Sequence, residues 1–207
     1  MMIDIIGFVG FIGSGKGTAG DILTENGYIK ESFAKGVKYT CATMFGWPRY
    51  LLEGDTEESR QFRETPDSYW SSKFNREFTP REALQKMGTE VGRDVFHSDF
   101  WILQMQRRIE ENEHTKYVIT DVRFPNEIEW IHKMGGKVYE VHRGEQPSWY
   151  KMLKVTKPKD TNMRNFLMID NDVHYSEWAW IGCKMDGMID NNGTLEDLTS
   201  IVKSVIL

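Results

Sequence analysis

The stretch "IDIIGFVGFIGSGKGTAGD" at 3–21 constrains the fold of this chain more than any other. Its first half is an apolar run without polar alternation, which suits a strand buried on both faces of a parallel sheet. It enters "GFIGSGKGT" at 10–18, and a helix is expected from about residue 15 to residue 26. Gly10, Gly13 and Gly15 let the backbone curl with its N–H groups pointing inward at an anion, and the helix N-terminus adds partial positive charge. Lys16 can then reach the terminal phosphates of a nucleotide, with Thr18 near a magnesium ion. The common phosphate-loop pattern places a hydroxyl directly after the lysine. Here Gly17 intervenes, and the hydroxyl comes one residue later as Thr18.

Further apolar runs alternate with helical patterns. Strands are expected near 27–33, at "KYVITDV" (116–122), at "KVYEVHR" (137–143) and near "GMID". Between them Gly46-Trp47-Pro48 stops one helix, Thr79-Pro80 starts another over 80–96, and a third starts from Ser98 as cap. Pro125 opens a helix to about Met134, and Thr194 caps the last one. Residues 53–79 suit a short helix or two, and 144–178 lack clean periodicity. Strands alternating with helices indicate an α/β fold with a mainly parallel sheet.

Bulk properties narrow the class. A chain of 207 residues suits one domain, with room for an inserted lid. The net charge of -5 gives no global attraction to a polyanion, so nucleic acid is not an expected partner. Cys41 and Cys183 make no disulfide framework or zinc spacing, and no run reaches the roughly 18 apolar residues of a membrane span. The apolar start has no basic region before it and ends in a glycine loop rather than a cleavage site. The expectation is a cytoplasmic protein without a membrane partner.

Two further elements carry chemistry. Asp121 ends its apolar run, and in open α/β sheets ligands collect at the carboxyl ends of strands. It suits either orientation of magnesium or a substrate hydroxyl, or pairing with Arg123. In the helix 80–96, Leu84, Met87, Val91 and Val95 form an apolar stripe. Arg81, Gln85, Thr89 and Arg93 form a separate polar stripe, which suits either recognition of a phosphate and a base or a plain solvated face, and Gly88 and Gly92 permit close approach of a ligand or another backbone. From Arg143 to Arg164 six Lys or Arg accompany two acidic residues, which suits either a solvated loop or a basic lid over polyphosphate. No N-K-x-D signature is present, which argues against a GTPase switch, and no histidine spacing suggests a metal site.

"GFIGSGKGT" is similar to the loop of nucleoside monophosphate kinases. "LLEGDTEESRQFRE", "TPREALQKMGTEVGRDVFHSDFWI", "ITDVRFPNEIEWI", "HYSEW" and "IDNNGTLEDL" follow in order. Together they resemble the deoxynucleoside monophosphate kinases carried by phages. The resemblance implies a P-loop NTPase three-layer fold with a mainly parallel five-stranded sheet. It implies a helical monophosphate-binding region at approximately 33–112 and a lid at approximately 143–178. It implies transfer of the γ-phosphate of ATP, with Mg2+, to a deoxynucleoside monophosphate.

On matching positions Gly13, Ser14, Gly15, Lys16, Gly17 and Thr18 would hold the ATP phosphates, with Asn192 and Gly193 by the adenine. Lys38, Arg63, Glu64, Arg81, Gln85, Thr89, Arg93, Trp101, Asp121 and Arg123 would shape the acceptor site. Trp70, Tyr69 or Trp101 would stand near the sugar. Lys16, Arg93, Asp121, Arg123 and Arg143 would be catalytic, Arg143 would begin the lid, and Thr18 with Asp121 would hold Mg2+. Relatives often show an acidic residue and a proline where this chain has "FAKGVK", so Lys35 has no assigned role. The resemblance also leaves a homodimer open, and a phage-encoded enzyme would work in the host cytoplasm. The alternatives are a P-loop kinase for another small acceptor, such as dephospho-coenzyme A, and a nucleotide-responsive binding module without turnover.

Overall fold

The computed structural model describes residues 3–171 and 173–207. In chain order β1 (Asp4–Val9) leads through the glycine loop into α1 (Lys16–Thr24) and β2 (Ile29–Glu31). A helical stretch follows with α2 (Ala34–Phe45), α3 (Glu57–Glu64), α4 (Ser68–Phe74), α5 (Pro80–Lys86) and α6 (Phe100–Glu110). Then come β3 (Lys116–Ile119), α7 (Pro125–Lys133), β4 (Lys137–His142), α8 (Tyr150–Val155), α9 (Thr161–Met168), β5 (Gly187–Asp190) and α10 (Leu195–Ile206). The chain forms two compact units, residues 33–108 and the remainder.

The larger unit holds a five-stranded sheet in the order β2-β3-β1-β4-β5, with every neighbouring pair parallel. Ile6 of β1 pairs with Val118 of β3, and Phe8 pairs with Tyr139 of β4. The glycine loop therefore leaves the central strand between the ends of β3 and β4. Ile5, Phe8 and Val9 are fully buried, as a strand covered on both faces must be. On one face Phe8, Val118, Val141 and Ile189 meet Leu23 of α1 and Leu198 and Val202 of α10. Each such side chain contributes about 1.5–3 kcal/mol by leaving water.

On the other face α7 packs on β1 and β4. There Gly7 admits Ile131 so closely that a Cβ would stand 2.7 Å from Cδ1. Helices on both faces of a parallel sheet, with the glycine loop after its central strand, make the expected three-layer P-loop fold. The capping box of α10 forms as the sequence implies, the Thr194 hydroxyl accepting from Asp197 N–H and Asp197 accepting from Thr194 N–H.

The unit 33–108 is helical and has its own core, with Val37, Cys41, Trp47, Leu52, Phe78, Ala83, Met87 and Trp101 buried together. Gly46, at φ 73°, stops α2 in the left-handed conformation. Two expectations are corrected here. The helix expected over 80–96 is α-helical only to Lys86, and Met87–Phe96 is a π-helix. The widened turns sit on Trp101, whose indole N–H donates to the Gly88 carbonyl at 2.9 Å. A Cβ on Gly92 would stand 2.4 Å from that nitrogen, so only glycine admits the ring. Because a π-turn holds more residues than an α-turn, the apolar stripe does not persist, and Val95 is 72% exposed. Second, α6 starts at Phe100, not from Ser98. The Asp99 carbonyl accepts the N–H of Leu103 at 2.8 Å, and the Asp99 N–H is itself held by His97 Nδ1.

Candidate functional site

The glycine loop is a preformed anion cradle. Gly15 stands at φ 97°, and α1 carries no acidic residue in its first turn to neutralise its positive end. Ala19 N–H bonds the Gly15 carbonyl, while Lys16, Gly17 and Thr18 are first-turn positions whose N–H groups have no intrahelical acceptor. The Ser14 hydroxyl is buried and has no partner among the described residues. Gly13 and Gly17 face open space. Lys16 folds back, its Nζ donating to the Gly10 and Phe11 carbonyls at 2.7 Å each. Burial, and next the like charge of Arg123, lower its pKa to about 8, against the opposing pull of Glu177 and Asp121. Arg123, Glu177 and Asp121 therefore each act on the Lys16 ammonium.

Asp121 stands two residues beyond β3, with its Oδ2 accepting from the Ser32 hydroxyl at 2.6 Å. Thr18 is exposed in the first turn of α1. Arg123 is gripped from both sides. The buried Glu127 accepts the N–H groups of Arg123 and Phe124 at 2.7 and 3.0 Å, and Glu177 makes an ion pair with its guanidinium. Arg143 is exposed immediately after β4.

A residue beside the expected adenine-side turn ties the loop down. Asn191, buried at the end of β5, donates from Nδ2 to the Ser14 carbonyl at 2.8 Å. A Cβ on Gly15 would stand 2.2 Å from that nitrogen. Asn192 is exposed and accepts the Gly144 N–H at 2.7 Å, while Gly193 leaves room for the Asp197 carboxylate that caps α10. One of the cations counted between Arg143 and Arg164 is structural. Arg164 is 1% exposed and donates to the carbonyls of Leu153, Thr156, Trp178 and Ala179, so it is unavailable to a polyphosphate.

The remaining expected acceptor residues fall in the unit 33–108. Lys38 and Arg49 both bond the Glu53 carboxylate, at 2.6 and 2.5 Å, and Arg63 bonds its backbone carbonyl at 3.3 Å. Burial works to raise the Glu53 pKa, and the two cations outweigh it and leave the group lowered. Arg81 pairs with Glu64. Thr89 returns its hydroxyl to the Gln85 carbonyl at 2.6 Å, and Arg93 donates to the Ser98 carbonyl at 3.0 Å. Trp70 and Trp101 spend their indole N–H groups on the carbonyls of Phe45 and Gly88. Trp101 is buried, so it shapes the π-helix from beneath.

The sequence profile of the deoxynucleotide monophosphate kinase family matches residues 49–156. A protein of Acanthamoeba polyphaga mimivirus, provisionally named deoxynucleotide monophosphate kinase, is 32% identical over 218 aligned positions, covering 98% of this chain and 95% of its own. The chain belongs to the deoxynucleotide monophosphate kinase family. The deoxynucleoside-5'-monophosphate kinase of Escherichia phage T5 is 43% identical over 53 residues, or 26% of this chain and 21% of that protein. Among solved structures, TT1252 from Thermus thermophilus aligns over 100% of this chain and 97% of its own at 15% identity and a TM-score of 0.45.

Set against this family assignment, the anchors of the site were the part that motif reading missed. Asn191, Glu53, Glu127 and Glu177 all lie inside or beside quoted segments, yet each acts by touching a residue from another element. Glu127, three residues after Phe124 in "TDVRFPNE", has the spacing of a capping glutamate, a local signal by which it could have been found. No local signal pointed to Asn191.

Proposed function

We propose that the protein transfers the γ-phosphate of ATP to a deoxynucleoside monophosphate, giving a deoxynucleoside diphosphate and ADP. The observation that carries this reading is a glycine loop with unspent N–H donors, leaving β1 beside the end of β3 from which Asp121 and Arg123 follow. In the reaction an oxygen of the acceptor phosphate attacks the γ-phosphorus, and the bond from that phosphorus to the β–γ bridging oxygen breaks. The acceptor phosphate is already anionic near neutral pH, so no side chain need remove a proton. The task is to hold two repelling anions in line and to neutralise the charge in transit.

Lys16 would leave the Gly10 and Phe11 carbonyls for the β- and γ-phosphates. Arg123 would bind the transferring group, and Arg93 and Arg143 would add charge. Gly13 to Thr18 would cradle the ATP phosphates, with Asn192 and Gly193 near the adenine. Lys38, Arg63, Glu64, Arg81, Gln85 and Thr89 would serve the acceptor, with Trp70 as an aromatic wall and the buried Trp101 supporting the π-helix from behind. Residues 143–178 would act as the lid.

Thr18 and Asp121 offer the hard oxygen donors that Mg2+ takes. Among the described residues no group of three or more His, Cys, Asp or Glu could hold a metal alone, which fits an ion that brings phosphate and water ligands with it. When bound, Mg2+ supplies charge neutralisation on the phosphates. No helix of the described residues is long and apolar enough to cross a membrane.

The test is a coupled ADP assay over the four dNMPs and the matching NMPs, with ATP and Mg2+. ADP release that depends on a dNMP is the expected result. Release at the blank rate with all four would reject the reading.

A further inference from the structure

The segment "HYSEW" at 174–178 closes the proposed lid region and packs against Phe124 and Arg123. It forms a tight 3-10 turn over Tyr175–Glu177, with His174 Nδ1 accepting the Ser176 N–H at 3.3 Å. The turn is pinned on several sides. Trp178 donates its indole N–H to the Val173 carbonyl at 3.1 Å, and Trp180 donates to the Glu177 carbonyl at 3.0 Å. Tyr175 packs against the Phe124 ring at 5.8 Å, directly beside Arg123. The result is a hydrogen-bonded turn that presents two acceptors to one guanidinium. Arg123 Nη1 bonds the Ser176 carbonyl at 3.5 Å and pairs with the Glu177 carboxylate.

We propose that Glu177 is the positioning residue for Arg123: it holds the guanidinium in the one orientation from which it can meet a phosphoryl group at the glycine loop. Glu127 fixes only the main chain at Arg123 and Phe124, which leaves the long arginine side chain free to rotate. The side-chain grip comes from 54 positions further along the chain, through Glu177. Its negative charge also offsets the repulsion between Arg123 and Lys16, two cations that must share the loop. A guanidinium offers five N–H donors, so one carboxylate leaves donors for a phosphate. Glu177 therefore touches no reacting atom and acts through Arg123.

This inference rests on the phosphoryl-transfer reading above, and a double-mutant cycle tests it. Glu177→Ala is expected to lower kcat by between about 10- and 100-fold, as a misplaced catalytic group does, with KM for ATP and for the acceptor within about twofold of wild type. In an Arg123→Ala background the same change is expected to cost almost nothing further. Glu177→Asp is expected to recover more of the lost kcat than Glu177→Gln, because the charge rather than the shape holds the guanidinium. All variants are assayed well below their melting midpoints. An unchanged kcat in Glu177→Ala would overturn the proposal, and so would an equal loss with and without Arg123.

A ligand-free arm separates this failure from that of the parent reading. With 15N-labelled arginine, the Nη signals of Arg123, assigned by their loss in Arg123→Ala, are expected to show restricted rotation. That restriction should disappear in Glu177→Ala. Freely rotating Nη groups in the wild type would reject the clasp whatever the enzyme's substrate. An intact clasp in a wild type that turns over no dNMP would instead reject the parent reading.

Discussion

Asn191 Nδ2 donates to the carbonyl of Ser14 at 2.8 Å across a separation of 177 positions in the chain. The bond joins the end of β5 to the middle of the glycine loop, and the same nitrogen fills the space where a Cβ on Gly15 would stand. The loop's shape is thus set by a partner outside it as well as by its glycines. Replacing Asn191 by Ala leaves the buried Ser14 carbonyl without that donor. The expected cost is about 1–3 kcal/mol of stability with a raised KM for ATP, read by urea denaturation and by initial rates. Gly15→Ala should be worse, since it adds a clash and a strained φ to the same lesion.

Lys16→Met removes the ammonium while keeping much of the side chain's apolar bulk. A fall in kcat of about 10²–10³-fold is expected, of the size seen when one preorganised donor to developing charge is lost. Circular dichroism and thermal melting should show the fold intact. Near-normal turnover would reject the role assigned to this residue.

The lowered pKa of Lys16, about 8 against an ordinary 10.5, has two consequences of opposite sign. For activity, kcat/KM for ATP in the free enzyme should fall as pH rises through about 8, because the ammonium is lost. Lys16→Arg should lack that limb whatever its absolute rate, since a guanidinium stays charged. For stability, the folded protein binds fewer protons than the unfolded chain between about pH 8 and 10.5. The Lys16 contribution therefore rises with pH across that window and is lost as pH falls through about 8. Comparing wild-type and Lys16→Met stability at pH 7 and pH 10 isolates it: the advantage of the methionine variant should shrink at the higher pH.

Arg164 donates to four main-chain carbonyls from a buried position, and burial lowers its pKa against the opposing pull of Cys183 and Tyr175. Arg164→Met should lower stability by about 1.5–3 kcal/mol or more, since charged hydrogen bonds are lost and acceptors are stranded. Arg164→Lys should not rescue it, because one ammonium cannot span the carbonyls of Leu153 and Ala179 as a planar fork does. The thermal midpoints of the three proteins decide this.

In the helical unit, Gly92→Ala should destabilise by about 1–3 kcal/mol through overpacking against the Trp101 ring. Trp101→Phe removes the donor to the Gly88 carbonyl and should cost about 1 kcal/mol. If the π-helix depends on this seat, hydrogen exchange of the amides over 87–96 should quicken in both variants.

The strands, the glycine loop and the first and last helices were legible in the sequence because each is a local pattern, and local patterns also nominated Lys16, Thr18 and Asp121 as site candidates. A continuous apolar run, a glycine cluster around a lysine, and a Thr three residues ahead of an Asp all write their structure within a few positions. Strand order was not legible, yet it sets β3 and β4 beside β1 and so brings Asp121 and Arg123 into the electrostatic field of Lys16. Nor was the π-helix, since the α period over 80–96 is broken by packing against a tryptophan outside that segment. The cations illustrate the division most clearly. Arg123 and Arg164 are alike in sequence, but one meets a hydrogen-bonded turn carrying Glu177 and the other is drawn into four carbonyls. Composition supplies charge, while only tertiary packing decides which partner each charge meets, because desolvation and hydrogen bonding depend on neighbours brought in from far along the chain.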